Sequence, residues 1–219
     1  MSNGFVIIGA GGFGREVLDV FDDVAAHGGL PDPGIEFLGF IDDGAPDLDA
    51  LAALGARHLG GQEVLSTLPA GTYYAVGIGD GTARRRMCHQ AEAAGLRPLT
   101  LIHSTATHGR CASFGEGAII CAGVRITTNV TVGKQVHINL NCSIGHDAVL
   151  GDFTTINPLS AISGWVHLGE EVLIGAHSQV NQNLSVGDGA TVGAGAVAVK
   201  DVAAGTTVVG IPAKPLTRG

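Results

Sequence analysis

Residues 120–150 read ICAGVRITTNVTVGKQVHINLNCSIGHDAVL, and a step of six through them lands on Ile120, Ile126, Val132, Ile138, Ile144 and Leu150. Carried outward, the same step runs from Ile102 to Val192. Fifteen of those sixteen positions are large and apolar, His108 being the exception. Four residues after each comes a second series, from Ala106 through Val130, Cys142 and Ser160 to Ala196, whose members are all small or aliphatic. The residue just after the first series is often Gly or Asn, as in Gly133, Asn139, Gly145, Gly151, Gly175 and Gly193. The register holds for 16 whole hexads, residues 102–197.

A fixed short repeat outranks every other signal in a sequence. An α-helix spaces its apolar residues by three and four, and a half-buried strand alternates by two. Six fits a short strand followed by a corner. Three such sides close a triangular coil of 18 residues, and 96 residues give a little over five coils. Successive coils then stack through parallel strand pairing at about 4.8 Å. Each inward Ile, Leu or Val is worth about 1.5–3 kcal/mol when buried. The second inward series is small because so narrow a triangle has no room for two large side chains per face. The recurrent Gly and Asn are expected to take left-handed backbone angles at the corners. His108, inward and near one end, is expected to pack or cap. Spacing alone does not give the hand of the coil.

Upstream, an apolar strand is predicted over residues 5–8. It runs into Gly9-Ala10-Gly11-Gly12-Phe13-Gly14, and the amphipathic pattern over residues 15–24 predicts a helix. Glycines of this kind permit a tight turn and close backbone approach, and a helix N-terminus favours phosphate. A second strand over residues 37–41 ends at Asp42-Asp43, placed either to hold ribose hydroxyls or to make a turn before Gly44. A short helix is predicted over 62–68, a third strand over 73–78 leading to Gly79-Asp80-Gly81, and a helix over 82–94. Residues 1–98 therefore read as a Rossmann-like βαβαβ unit, and residues 99–219 as the β-helix with its C-terminal tail. Ligands of open parallel sheets sit beyond the carboxyl ends of the strands. That puts Gly11, Gly12, Phe13, Asp42, Asp43 and Gly79 around one crevice.

Composition narrows the partners. The formal net charge is −8, of which residues 1–98 carry 13 acids against 6 bases. An acidic chain without a basic patch argues against nucleic acid. The single basic run, Arg84-Arg85-Arg86, is expected along a solvated helix, with phosphate contact the other option. The four cysteines show no CxxC spacing, and Cys142 sits in a small inward slot. Disulfide or metal use is not expected, and a reducing cytoplasm fits. No apolar run approaches the ~18 residues of a membrane span.

The unbroken hexads resemble those of the hexapeptide-repeat acyltransferases, which fold as left-handed parallel β-helices. With a nucleotide-binding unit opening in GAGGFG, the chain is similar over its whole length to the bacterial sialic acid O-acetyltransferase family. That family includes N-acetyltransferases of UDP-4-amino-sugars, GDP-perosamine and dTDP-4-amino-sugars. The resemblance implies a homotrimer binding a nucleotide sugar and acetyl-CoA, with no metal. It also implies acetyl transfer to the sugar's amino group.

Acyl transfer needs a base for the acceptor's proton, and histidine serves near neutral pH. Among the repeat histidines, Ile144-Gly145-His146-Asp147 stands out because an acid follows directly. The family motif is similar, which implies His146 as base and Asp147 as the group orienting it. Neighbouring strand residues face opposite ways, so their pairing has to be indirect or made at a corner. Asn139 matches a family position facing the acceptor, and it is also a good corner residue. The resemblance further implies coenzyme contacts at Thr155, Gly175, Ala176, Gly193, Ala194 and Lys214. Small residues at corners let pantetheine lie close, although corners favour them anyway. Phe13 stands where amino-sugar members often carry His and cannot donate a hydrogen bond. O-acetylation of a sugar hydroxyl is therefore the enzymatic alternative, and a non-catalytic scaffold or a γ-carbonic-anhydrase-like metal protein the others.

Overall fold

A computed structural model describes residues 4–216. The chain divides into two compact units, Met1–Leu101 and Ile102–Gly219.

The first unit is a five-stranded parallel sheet. In chain order it runs β1 (Gly4–Ile8), α1 (Gly12–Ala26), β2 (Glu36–Ile41), α2 (Leu48–Ala53), β3 (His58–Gly60), β4 (Tyr73–Val76), α3 (Gly81–Ala93) and β5 (Arg97–Pro98). The strand order is β3-β2-β1-β4-β5. Strands β3 and β5 and helix α2 lie where no strand or helix pattern was read. β3 and β5 are three and two residues long, too short for periodicity to register. Helix α1 begins at Gly12, three residues earlier than expected, so half of the glycine stretch is helical. Gly9 takes a φ of +100° to make the turn, and a side chain on Gly14 would strike the Gly9 carbonyl. The glycines thus let helix α1 rest on the end of β1.

The basic run is not uniformly solvated. Arg84 is 0% exposed, and its guanidinium donates to the carbonyls of Ile78 at 2.7 Å and Gly79 at 3.2 Å. A buried charge needs such partners. Here they fix the loop between β4 and α3. The Cys88 thiol one turn further on is pushed up to about 12, chiefly by burial.

In the second unit, strands of two residues recur every six from Leu101–Ile102 to Val197–Ala198. They build three sheets, parallel throughout except for the closing pair Thr207–Val209 and Lys214–Pro215. Each strand pairs with the one 18 residues on: His137 with Thr155, Ser143 with Ala161, Val149 with His167. The unit is a left-handed parallel β-helix. Its interior is one column containing Ile120, Ile126, Val132, Ile138, Ile144, Leu150, Ile156 and their successors. Small inward slots that carry hydroxyls are satisfied. Thr154 donates to Gly169 O at 3.0 Å, Ser160 to Gly175 O and Ser178 to Gly193 O, both at 2.8 Å.

The corners differ from expectation. The left-handed residues do not follow the inward series directly but come three after it. At Asn129, Gln135, Asn141, Asp147, Phe153, Leu159, Trp165, Glu171, His177 and Asn183, φ lies between 54° and 63°. Each of these N–H groups bonds a carbonyl of the preceding coil, as Asp147 to Thr128 O and Trp165 to His146 O. That pairing offsets part of the cost of the conformation. The glycines beside the inward series serve another purpose. A Cβ on Gly145 would run into the Ser163–Gly164 peptide, and one on Gly151 into Gly169. They are small because the next coil passes over them. His108, expected to pack or cap, is exposed, its ring 5.4 Å edge-on from that of Phe114. Its strand is the last of its sheet, with a neighbour on one side only.

Candidate active site

One corner of the β-helix stacks Thr128, His146 and Gly164 in one column and Asn129, Asp147 and Trp165 in the next, each a coil apart by the 18-residue register. Asp147 has a φ of 61°. That left-handed turn swings its carboxylate to the same side as the preceding histidine, so the pair is made directly, at the corner. His146 Nδ1 donates to Asp147 Oδ2 at 2.8 Å. Asn129 Nδ2 donates to Oδ1 of the same carboxylate at 2.6 Å. These bonds hold the Asp147 carboxyl below its ordinary value, the Asn129 contact first and the His146 contact second. A carboxylate on Nδ1–H fixes the tautomer and leaves Nε2 as the free lone pair. The imidazole is 46% exposed, so that lone pair is accessible.

Two further residues shape the ring's surroundings. A Cβ on Gly164 would sit 2.8 Å from both Cε1 and Nε2 of His146, so the bare glycine makes room for the imidazole. The Trp165 ring stands at 89° to the imidazole with centroids 4.4 Å apart. Asn129, Gly164 and Trp165 were not singled out from sequence. Adding or subtracting one 18-residue coil from His146 and Asp147 would have found all three.

The other residues expected at the site fall elsewhere. Asn139 is at a different corner of the same coil, 5% exposed, and its amide donates to Ile156 O at 3.2 Å. In this chain it ties two coils together and does not meet His146. Thr155, expected to touch coenzyme, is 3% exposed on the strand between His137 and Leu173. His137, another repeat histidine, is likewise buried. Gly175, Ala176, Gly193 and Ala194 do come together, on successive coils of the Asn139 corner. A side chain on Gly175 would meet the Ala194 backbone, so coil spacing already demands that glycine. Lys214 is exposed in the closing strand pair.

In the first unit a cleft of about 190 Å³ opens at the carboxyl ends of β1, β2 and β4. Its lining includes Ile8, Ile41, Asp42, Asp43, Gln62 and Arg86. Of the expected residues, Asp42 and Asp43 line it, while Gly11, Gly12, Phe13 and Gly79 do not. Asp42 joins two segments: Oδ1 accepts from Gly44 N at 2.8 Å in its own turn, and Oδ2 from Ala10 N in the glycine stretch at 2.7 Å. Asp43 accepts from Gln62 N at 2.6 Å. Both oxygens of each carboxylate retain lone pairs. Gln62 was read only as the start of a short helix; Arg86 had a signal, as the last member of the basic run.

No group of three or more His, Cys, Asp or Glu among the described residues could hold a metal ion. No helix among them is long and apolar enough to cross a membrane.

A parallel sheet with a cleft at its strand ends, joined in sequence to a left-handed β-helix carrying a His–Asp pair, defines the class of two-unit hexapeptide-repeat acyltransferases. Residues 5–91 match the family described as the PglD N-terminal domain. The chain is 32% identical over 181 residues to GDP-perosamine N-acetyltransferase of Escherichia coli O157:H7, covering 80% of this chain and 76% of that one. It resembles the structure of PerB from Caulobacter crescentus in complex with CoA and GDP-perosamine, with a TM-score of 0.85, 28% identity and 99% of both chains covered. The acetyltransferase domain of PglB from Neisseria gonorrhoeae, in complex with acetyl coenzyme A, is similar at a TM-score of 0.80 and 32% identity, covering 99% of this chain and 100% of that one. The chain belongs to the family of nucleotide-amino-sugar N-acetyltransferases.

Proposed function

We propose that this enzyme moves an acetyl group from acetyl-CoA to the amino group of a nucleotide-linked amino sugar, with His146 as general base. The observation that carries the reading is the Asn129–Asp147–His146 chain of hydrogen bonds, 2.6 and 2.8 Å long, ending in an open Nε2. The acceptor amine attacks the thioester carbonyl while Nε2 removes one of its protons. The C–N bond forms, the C–S bond breaks, and the imidazolium returns its proton to the departing thiolate. Asp147 holds the tautomer and stabilises the imidazolium. His146 is the catalytic group in this scheme; Asp147 and Asn129 act through it.

The relatives found in complex with CoA and with GDP-perosamine support this choice of substrates. The cleft of the first unit suits the nucleotide, with Arg86 supplying positive charge to a diphosphate in a region otherwise rich in acid. Gly175, Ala176, Gly193 and Ala194 form a shallow corner for pantetheine, and Lys214 is placed for the coenzyme's phosphates. These residues and Asn139 lie on a different corner from His146. A homotrimer, in which the groove between neighbouring prisms joins two corners, reconciles that separation. We place the reaction in the reducing cytoplasm.

Release of coenzyme A, followed with GDP-, UDP- and dTDP-linked 4-amino sugars and their 4-hydroxy counterparts, tests the reading. Turnover is expected with an amino sugar and not with the matching alcohol. Release with the alcohols alone, or with none of the panel, contradicts it.

A further inference from the structure

Trp165 is the most exposed large aromatic side chain at any of the left-handed corners, although the coil imposes the same turn on Phe153 and Leu159. It is a large aromatic residue left 57% exposed, so burial does not explain it. Its φ of 55° is the left-handed conformation that favours Gly or Asn. The equivalent corner positions one coil earlier and one coil later carry Asp147 and Asn183, both small and polar. What Trp165 does have is the imidazole of His146, 4.4 Å away and perpendicular to it.

The contacts around His146 form three sides of a holder. Asp147 fixes Nδ1 at 2.8 Å. Gly164 leaves bare backbone where a Cβ would press at 2.8 Å on Cε1 and Nε2. Trp165 closes a third side. A single hydrogen bond to Nδ1 sets the tautomer only while it is made, and a half-exposed ring can swing about χ1 and χ2, break that bond and then exchange tautomers. A second rigid wall, set at right angles, removes that freedom without occupying either nitrogen. Indole supplies such a wall at small entropic cost, having only two side-chain torsions. Perpendicular aromatic pairs at 4.5–7 Å are, in general, attractive arrangements.

We propose that Trp165 is a positioning residue for His146, holding the imidazole in the one orientation and tautomer that aims Nε2 at the acceptor. The proposal rests on His146 being the base, so its test carries a readout that does not depend on turnover. Trp165→Ala and Trp165→Phe are made in the full-length protein. Imidazole ¹⁵N shifts are recorded for His146, assigned by its loss in His146→Ala, and steady-state constants are measured for acetyl-CoA and the amino-sugar nucleotide.

The tautomer is expected to be single in the wild type and in Trp165→Phe and mixed in Trp165→Ala. The kcat of Trp165→Ala is expected to fall about tenfold with both KM values within about threefold of wild type, and Trp165→Phe to recover most of it. An unmixed tautomer in Trp165→Ala overturns the proposal. So does a raised acceptor KM at unchanged kcat, which makes the indole a platform for the sugar. If His146→Ala keeps full turnover, it is the base assignment that fails, and the nitrogen shifts still decide whether Trp165 holds the ring.

Discussion

At Asp147 a single backbone angle determines what the residue can do. In an extended strand its carboxylate would face away from His146. With φ at 61° it reaches Nδ1 at 2.8 Å and still accepts from Asn129. The Asn129 bond is the larger cause of the lowered Asp147 carboxyl. A carboxyl whose pKa is depressed on folding stabilises the fold above its unfolded value, and that contribution is lost as pH falls through the folded one. Asn129→Gly keeps the left-handed corner and removes the amide. The Asp147 carboxyl should then titrate nearer its ordinary range by carbon NMR, so the pairing is lost at a higher pH. An unmoved titration would show that Asn129 does not set it. The sequence contained this link and the period contained its address, since 147 less one 18-residue coil is 129. It went unread because His146 and Asp147 are neighbours in the chain, whereas Asn129 is their neighbour only through the stack.

The coil is the element that the sequence made plainest. Fifteen of sixteen inward positions are large and apolar because nothing else fills a narrow prism, and the structure buries that column. Corner chemistry was less legible. Gly and Asn after the inward series suggested left-handed angles, yet the angles fall at residues as varied as Phe153, Leu159 and Glu171. Stacked coils make the turn obligatory through their backbone hydrogen bonds, so residue preference is overridden and no composition signal survives. The two uses of small residues predict opposite effects. Gly151→Ala forces a Cβ into the Gly169 backbone and should cost about 1–3 kcal/mol. Cys111→Asn, at an exposed left-handed corner with φ 61°, should gain about 0.5–1 kcal/mol. Urea unfolding of the two variants checks both signs. A destabilised Cys111→Asn would mean the corner residue contributes more than its backbone.

On the scale of the whole molecule, the two units divide the proposed work. The five-stranded unit offers its cleft at the strand ends, where α/β sheets bind ligands. The β-helix offers the base. Sequence reading put Asp42 and Asp43 at these strand ends, where they line the cleft, together with Gly11, Gly12, Phe13 and Gly79, which do not line it; Gly12 and Phe13 belong to helix α1. Arg86 was obscured by its run: three arginines on one helix face three ways, and only position decides that Arg84 is buried and Arg86 lines the cleft. Arg86→Ala should raise the nucleotide-sugar KM about tenfold and leave the acetyl-CoA KM alone. Equal effects on both substrates would take the nucleotide out of that cleft.

The central claim is that an imidazole at one corner of the prism removes the acceptor's proton. Its most direct measurement is the kcat of His146→Ala on the best nucleotide amino sugar, with the fold and assembly of the variant verified by circular dichroism and light scattering. A fall of at least about a hundredfold with both preserved is the predicted result. Turnover within a few-fold of wild type would contradict it.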